Sequence, residues 1–130
     1  MNENQSLYRT VEEFVADPNP PRNEWLVWET HTEVYLRKTK RFIEGKVVPA
    51  IDIANISTAS EFRGRGRFWR LIFFLQYHFP THYLYIENVL NPRLHQSLLL
   101  YGATEIPFDS NNLCTEIPCF YYKPTAKPEG

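Results

Sequence analysis

The spacing of apolar residues in the first half of the chain is that of β-strands. Val, Ile, Tyr, Trp and Thr are frequent there, and apolar positions alternate with polar ones. We predict strands over residues 25–29, 33–43 and 47–58, with a turn over 44–46 joining the last two. Pro49 is expected to mark a bend or bulge, because interior strands tolerate proline poorly. The strand over residues 47–58 is long enough to cross a whole sheet.

Helical patterns lie on both sides of these strands. Thr10 and Glu13 form a capping box that predicts a short helix over residues 10–17. A dense apolar helix follows the Arg/Gly stretch at 63–67 and stops at Pro80. A strand over 83–89 is followed by a helix that begins at Asn91-Pro92 and ends near Gly102, and residues 102–122 form a hairpin. This order predicts an α+β fold, a mixed β-sheet with a central βαβ unit and flanking helices.

Length and composition indicate one domain. The chain has 130 residues, of which 43% are hydrophobic and 15% aromatic, enough for a single core. We expect a single domain over residues 1–130 with a flexible tail over 123–130. The two cysteines, Cys114 and Cys119, are too few for a disulfide framework, and we interpret them as free thiols. The N-terminus lacks a secretory pattern and no apolar stretch could span a membrane, so we expect a cytoplasmic protein, in a bacterium or an infected host cell.

Positive charge is concentrated in the middle of the chain. Residues 37–70 contain nine basic and three acidic residues, a net charge of +6, so the rest of the chain carries −7 of the total of −1. Remote acidic residues would repel an extended phosphate backbone, which argues against a nucleic acid partner and favours one compact anion. Ordinary solvated faces are the alternative interpretation. His78 and His82 are four residues apart, but Pro80 between them spoils a helical metal site, and no metal is predicted.

An Arg/Gly loop leads from the long strand into the apolar helix. The first backbone N–H groups of a helix have no internal partner and face the positive end of its dipole, so glycines there let a phosphate approach the main chain. The stretch 63–67, Arg-Gly-Arg-Gly-Arg, lacks the ending of a nucleoside triphosphate loop and the third glycine of a dinucleotide loop. It is either an anion-binding loop or a plain structural turn.

Three stretches together resemble the GNAT superfamily of acyl-CoA-dependent N-acyltransferases. They are Ile-Ala-Asn-Ile at 53–56, Glu-Phe-Arg-Gly-Arg-Gly-Arg-Phe at 61–68, and the strand at 84–89 followed by Asn91. The superfamily's pyrophosphate loop reads Arg/Gln-x-x-Gly-x-Gly/Ala, and Arg63 and Gly66 match its first and fourth positions. Phe68 occupies the sixth, where the superfamily has a small residue. The chain is also similar to small GNAT-like proteins of bacteriophages.

The resemblance implies acetyl-CoA as cofactor and assigns residues to it. The main-chain amides of the loop would bind the pyrophosphate, the long strand's backbone would pair with the pantetheine arm, and the asparagine would contact that arm. Arginines of the loop, or those of the cluster at 37–41, would meet the ribose phosphate. The cofactor-binding residues expected in this way are Ile56, Ser57, Thr58, Arg63, Gly64, Arg65, Gly66, Arg67, Phe68 and Asn91.

Acetyl transfer also needs a proton acceptor for the amine and a proton donor for the departing thiolate. Glu87 is our candidate base, as it lies on the strand that the superfamily separates from the long one; Asp52 and Asn55 are alternatives. The superfamily's acid is often a tyrosine seven residues after the asparagine, where this chain has Leu98. Tyr101, one helical turn further on, is our candidate acid.

Two functions follow, and the sequence leaves both open. The first is an acetyl-CoA-dependent N-acetyltransferase that acetylates an amine of a protein or small molecule. The second is a catalytically inactive GNAT-fold binding protein, such as a phage structural or host-modulating factor. The short N-terminal region could leave a sheet edge uncovered, so a homodimer is an open alternative to a monomer.

Overall fold

The computed structural model of the protein describes residues 8–29, 31–58, 66–87, 89, 91–106 and 118–126. Within them, three helices and seven strands follow one another along the chain. They are β1 (Arg9–Thr10), α1 (Val11–Ala16), β2 (Asn23–Val27), β3 (Thr32–Ile43), β4 (Lys46–Thr58), α2 (Arg67–His78), β5 (Tyr83–Ile86), α3 (Pro92–Leu100), β6 (Thr104–Ile106) and β7 (Cys119–Tyr122). No helix in these ranges has the length and apolar character needed to cross a bilayer.

The strands form one mixed sheet in the order β1-β2-β3-β4-β5-β7-β6. Strands β2, β3 and β4 are antiparallel neighbours, and β4 and β5 pair in parallel with α2 as their connection. This βαβ unit stands at the centre of the sheet, as the order of the sequence patterns predicts. Strand β7 lies between β5 and β6, so the C-terminal hairpin places its second strand inward.

Local sequence signals fix the ends of several elements. The Thr10 hydroxyl accepts from the Glu13 N–H while the Glu13 carboxylate accepts from the Thr10 N–H, so the predicted capping box is confirmed. Asn91 caps α3 through its side-chain oxygen, and Gly102 follows that helix with φ +90°. At the β3–β4 turn both Glu44 and Gly45 have positive φ, which matches the twist of a two-residue hairpin.

The irregularity in β4 lies away from the proline. Pro49 is paired in regular register with Lys40, so the bend expected there is wrong. The register instead shifts between Tyr35 and Leu36, which pair with Asn55 and Ile53 and leave Ala54 as an extra residue in β4. Pro49 is tolerated because β5 begins to pair with β4 only at the next residue, so β4 is an edge strand on that side.

The two sheet faces differ in what they carry. On one face, which we call the helix face, the buried residues of all three helices join those of the strands in one apolar cluster; Phe14, Leu71 and Leu98 are fully buried in it. The buried cluster on the other face, which we call the strand face, consists of strand residues such as Ala50, Tyr85 and Tyr121. Successive strand residues alternate between these faces.

Two C-terminal features correct or refine expectations. Cys119 is buried and disulfide-bonded, so the interpretation of the cysteines as free thiols is wrong for this residue, and Cys114 lies outside the described residues. The start of the tail contacts the chain just after α2, as the Ala126 N–H donates to the Pro80 carbonyl at 2.9 Å.

Strand β5 is shorter than predicted: the strand expected over residues 83–89 ends at Ile86.

Candidate functional site

Strand β4 continues after its pairing with β5 has ended. Residues Ala50–Ile53 of β4 pair with Tyr83–Ile86, and the last link is the Glu87 N–H donating to the Ile53 carbonyl at 3.1 Å. Two residues later the chain is bonded on its other side, where the Val89 N–H donates to the Pro118 carbonyl at 3.0 Å. The extra residue Ala54 lies at the point of separation. A split therefore opens between β4 and β5 within the described residues.

The backbone of β4 beyond Ala54 forms one wall of this split. Ile56, Ser57 and Thr58 pair on one side with β3, opposite Val34, Glu33 and Thr32. No described strand pairs with them on the other side. An open strand edge can accept an extended ligand through main-chain hydrogen bonds, in the manner of an added strand. These are the three β4 residues that the resemblance assigns to the pantetheine arm.

The N-terminus of α2 follows the Arg/Gly loop. Gly66 is its N-cap with φ +76°, and it offers no side chain to the first turn. The N–H groups of Arg67, Phe68 and Trp69 cannot be satisfied by helical bonds within α2, since the first such bond is donated by Arg70 to the Gly66 carbonyl at 3.0 Å. Arg63, Gly64 and Arg65 lie outside the described residues. Gly66 and the start of α2 thus fit an anion, as far as the described chain extends.

The residues of the first turn of α2 are held by contacts on the helix face. Phe68 is half-buried against the apolar cluster and meets Trp69 edge-on at 5.0 Å, so its large side chain is accommodated by the core. The Arg67 carbonyl accepts from Trp28 Nε1 at 2.9 Å, and its guanidinium lies 3.3 Å from Glu29. A hydrogen bond from Arg70 lowers the pKa of the Glu29 carboxyl, although burial opposes this.

Four charged side chains form a cluster on the strand face beside the split. Arg37 and Arg41 come from β3, Asp52 from β4, and Glu87 follows β5. Arg41 Nη2 lies 2.6 Å from Asp52 Oδ2 and 3.0 Å from Glu87 Oε1. Arg37 Nη2 donates to Glu87 Oε2, and its Nε is 3.7 Å from Asp52 Oδ2. Two cations and two anions thus balance in one network, which we call the charge cluster.

The inner half of the charge cluster is firmly anchored. Asp52 is fully buried and also accepts from Thr39 Oγ1 at 2.8 Å. The Arg41 guanidinium lies 4.0 Å from the centre of the Tyr85 ring, a cation–π contact. Burial by itself would lower the pKa of Arg41, but the hydrogen bond to Asp52 and the charges of Asp52 and Glu87 raise it overall. Arg41 is therefore a permanent, largely buried cation.

This arrangement places the expected catalytic residues apart. Glu87 lies at the split, on the strand face, where both its oxygens accept from arginines. Tyr101 is the C-cap of α3, 61% exposed, and its ring meets Trp69 edge-on at 5.0 Å on the helix face. The two side chains therefore lie on opposite faces of the sheet. Asn91, the residue expected to contact the pantetheine arm, follows Glu87 by four residues in the chain. Its side-chain oxygen accepts from the Arg93 and Leu94 N–H groups.

The contacts of the charge cluster bear on two expectations from the sequence: the alternative bases and the arginines that would meet the ribose phosphate. Asp52 is engaged by Thr39 and Arg41 with no exposed surface, whereas Asn55 is exposed on β4. Arg37 and Arg41 pair with carboxylates, which competes with the expected contact to a ribose phosphate. Arg37 and Arg41 are four residues apart in β3, so alternation places both on one face of the sheet. The sequence shows this pattern, but it does not show that Asp52 and Glu87 lie beside them.

A separate apolar cavity of about 630 Å³ lies on the helix face. Its lining residues come from α2, the end of α3 and β7, and they are Trp69, Ile72, Phe73, Gln76, Tyr101, Gly102 and Tyr122. It belongs to the opposite side of the sheet from the charge cluster. Tyr101, the expected acid, therefore faces this cavity and its aromatic walls.

Nine chains of solved structures are similar to this protein. The KacTA–DNA complex aligns with 18% identity and a TM-score of 0.51, covering 72% of this chain and 58% of that one. A mutant AtaT toxin bound to the C-terminus of the antitoxin AtaR and acetyl-CoA gives the same values. AtaT complexed with acetyl-methionyl-tRNAfMet gives 14%, a TM-score of 0.50, and coverage of 71% and 61%. The chain thus spans less than two-thirds of the length of these neighbours.

No protein-family model and no curated protein matches the sequence. The structures with which the chain aligns confirm the expected GNAT-like α+β fold. They lend no support to a bacteriophage origin. Neighbours bound to DNA and tRNA are at odds with the expectation of no nucleic acid partner, which came from the charge distribution alone.

Proposed function

We propose that the protein is an acetyl-CoA-dependent N-acetyltransferase that transfers an acetyl group to an amine. The observation that carries this proposal is the split between β4 and β5, which opens at Ala54 on the strand that precedes the glycine-capped start of α2 in the chain. An open strand edge suits an amide-rich arm, and the helix N-terminus that follows it along the chain suits a diphosphate. A structural neighbour bound to acetyl-CoA supports the same ligand.

In this proposal the chain's own residues bind and orient the cofactor mainly through backbone. The edge at Ile56, Ser57 and Thr58 holds the arm, and the amides after Gly66 hold the diphosphate. Acetyl-CoA supplies an acyl carbon activated by its thioester. The predicted roles of the loop arginines and of Asn91 remain part of the proposal.

Glu87 is the proposed proton acceptor because its carboxylate lies where the split begins. Tyr101 is the proposed proton donor, although its ring lies on the helix face and would have to act from there. Glu87→Gln is expected to reduce thiol release because the amide cannot accept the amine proton, and Tyr101→Phe to reduce it because the proton donor is missing. Unchanged release in Glu87→Gln would remove Glu87 from this role.

Calorimetric titration with acetyl-CoA tests cofactor binding. We expect micromolar binding that Gly66→Asp abolishes, since an added carboxylate repels the diphosphate and the backbone there has positive φ. Gly45→Asp is the matched control, because Gly45 also has positive φ but lies in the β3–β4 turn with nothing near its missing side chain. Equal loss of binding in both variants, or no binding by the parent protein, would contradict the proposal.

A binding protein without turnover is the second candidate, and one observation favours it. Both oxygens of Glu87 are engaged by Arg37 and Arg41, which leaves the candidate base paired in the free protein. Cofactor binding without thiol release towards any amine would support this alternative, in a phage or in another setting. The partner in that case would be a macromolecule, as for the neighbours bound to an antitoxin.

We also propose that the acceptor is an amine of a protein or small molecule. The proposal includes a single domain over residues 1–130 and a cytoplasmic location, with a homodimer as the alternative to a monomer. The neighbours bring nucleic acid into consideration as an acceptor or partner. Acetylation of aminoacyl-tRNA by the purified protein, measured with labelled acetyl-CoA, tests that acceptor directly.

A further inference from the structure

The charge cluster has an outer and an inner arginine. The side chain of Arg37 is 33% exposed, against 19% for Arg41. Arg41 is held by the buried Asp52 and by the Tyr85 ring. Arg37 has no hydrogen bond to Asp52, and its Nε is buried without a hydrogen-bond partner among the described residues. Arg37 is therefore the more exposed of the two arginines and the one with an unsatisfied N–H, and its guanidinium also lies 6.0 Å from the centre of the Tyr35 ring.

The same arginine determines whether Glu87 can serve an amine. In acetyl transfer the amine nitrogen bonds to the acyl carbon while the carbon–sulfur bond breaks. The amine proton passes to a base, and the departing thiolate takes up a proton. Each oxygen of Glu87 accepts from a guanidinium, so an approaching amine competes with an arginine for the carboxylate. The pair with the more exposed Arg37 costs less to open than the pair with Arg41, so we expect it to open first.

An anion on the acceptor would open that pair. A guanidinium binds carboxylate and phosphate through two parallel hydrogen bonds, which are stronger than neutral ones. An anion at the outer edge of Arg37 would bind the guanidinium in place of Glu87 and leave Glu87 Oε2 to the neighbouring amine. With hydrogen bonds of about 3 Å, the amine and the anion on the acceptor would be separated by roughly 6 Å or less.

We propose that Arg37 is the specificity-determining residue of the acceptor site, which selects amines that carry their own carboxylate or phosphate a few atoms away. This inference rests on the proposed acetyltransferase function. Acceptors that carry a phosphate and acceptors that carry a carboxylate would be recognised in the same way. In both, the planar guanidinium of Arg37 faces an oxyanion that lies a few atoms from the amine of the acceptor. An acceptor without the anion would meet a Glu87 that is still paired.

Two pairs of acceptors test the selectivity, with free thiol release from acetyl-CoA as the assay. Phosphoethanolamine is compared with ethanolamine, and β-alanine with propylamine, at equal concentrations of neutral amine. We expect kcat/KM to be roughly 10-fold to 100-fold higher for the acid-bearing member of at least one pair, the range expected of charged hydrogen bonds. The pair with the larger ratio identifies the preferred oxyanion.

The variant Arg37→Met separates selectivity from structural damage. It should bring the ratio within each pair close to 1 by lowering kcat/KM for the acid-bearing amine more than for the plain amine. A purely structural role of Arg37 would lower both rates in parallel and leave the ratio unchanged. Lys46→Ala, an exposed cation at the far end of β4, is the control and should retain the parent ratio.

The outcomes distinguish this inference from the proposed function. Thiol release at equal rates for both members of each pair, or a ratio unchanged in Arg37→Met, would overturn the role of Arg37 and leave the acetyltransferase intact. No acetyl-CoA binding and no release with any amine would overturn both. Binding of acetyl-CoA with no release for all four amines would overturn the selection of acid-bearing amines by Arg37.

Discussion

Replacement of Asp52 by leucine should destabilise the protein more than any other single substitution in the charge cluster. Asp52 is fully buried and is within 2.6 Å of Arg41 Nη2 and 2.8 Å of Thr39 Oγ1. In Asp52→Leu, Arg41 remains a largely buried cation that has lost its main partner, and the cluster keeps two cations with one anion. Breaking a buried ion pair from one side costs about 3–5 kcal/mol of unfolding free energy.

A double variant shows whether the uncompensated charge is the cause. Arg41→Met with Asp52→Leu removes one cation and one anion, and Arg37 and Glu87 then still balance each other. Replacing both partners of a buried pair with apolar residues is often neutral. We therefore expect the double variant to be clearly more stable than Asp52→Leu alone, with a coupling energy of about 2 kcal/mol or more.

Urea unfolding followed by circular dichroism measures both effects through linear extrapolation. In a separate thermal unfolding experiment the single variant should melt at a temperature lower by roughly 10–20 °C, from the usual relation of free energy to melting temperature for a chain of this size. A loss below about 1 kcal/mol in Asp52→Leu would refute the interpretation of a buried anion that holds Arg41. Additive losses in the double variant would show that packing, and not charge, determines the stability of this region.

Three further predictions concern separate parts of the fold. Thr10→Ala removes the capping box of α1 and should cost about 1 kcal/mol in urea unfolding, and an unchanged midpoint would contradict the role of the cap. Leu98→Ala empties a fully buried position under α3 and should cost about 2–5 kcal/mol, whereas the exposed Leu100→Ala should have little effect. Burial and the hydrogen bond to Glu44 raise the pKa of Tyr121 from 10.0 to about 12. Because the unfolded phenol ionises first, stability should be full below pH 10.0 and fall as the pH rises towards about 12. In Tyr121→Phe this fall should be shallower, as measured by unfolding at about pH 9 and about pH 11.

Local order followed directly from the sequence. The capping box, the Asn91-Pro92 helix start, the Gly102 cap and the long strand β4 depend on residues close together in the chain, and all are present in the structure. Gly66, from the Arg/Gly stretch that the sequence placed before the apolar helix, is the N-cap of α2 with φ +76°. The order of these elements was also sufficient for the parallel βαβ unit.

Tertiary structure decided where the strands separate and which charges meet. Alternation assigns Arg37 and Arg41 to one face of β3, but it does not say which strand lies alongside or at which register. Only the pairing of β3 with β4 and of β4 with β5 brings Asp52 and Glu87 against these arginines. The same pairing placed the register shift at Ala54 and not at Pro49. Contacts between residues distant in sequence depend on the packing of the whole sheet, which no local pattern encodes.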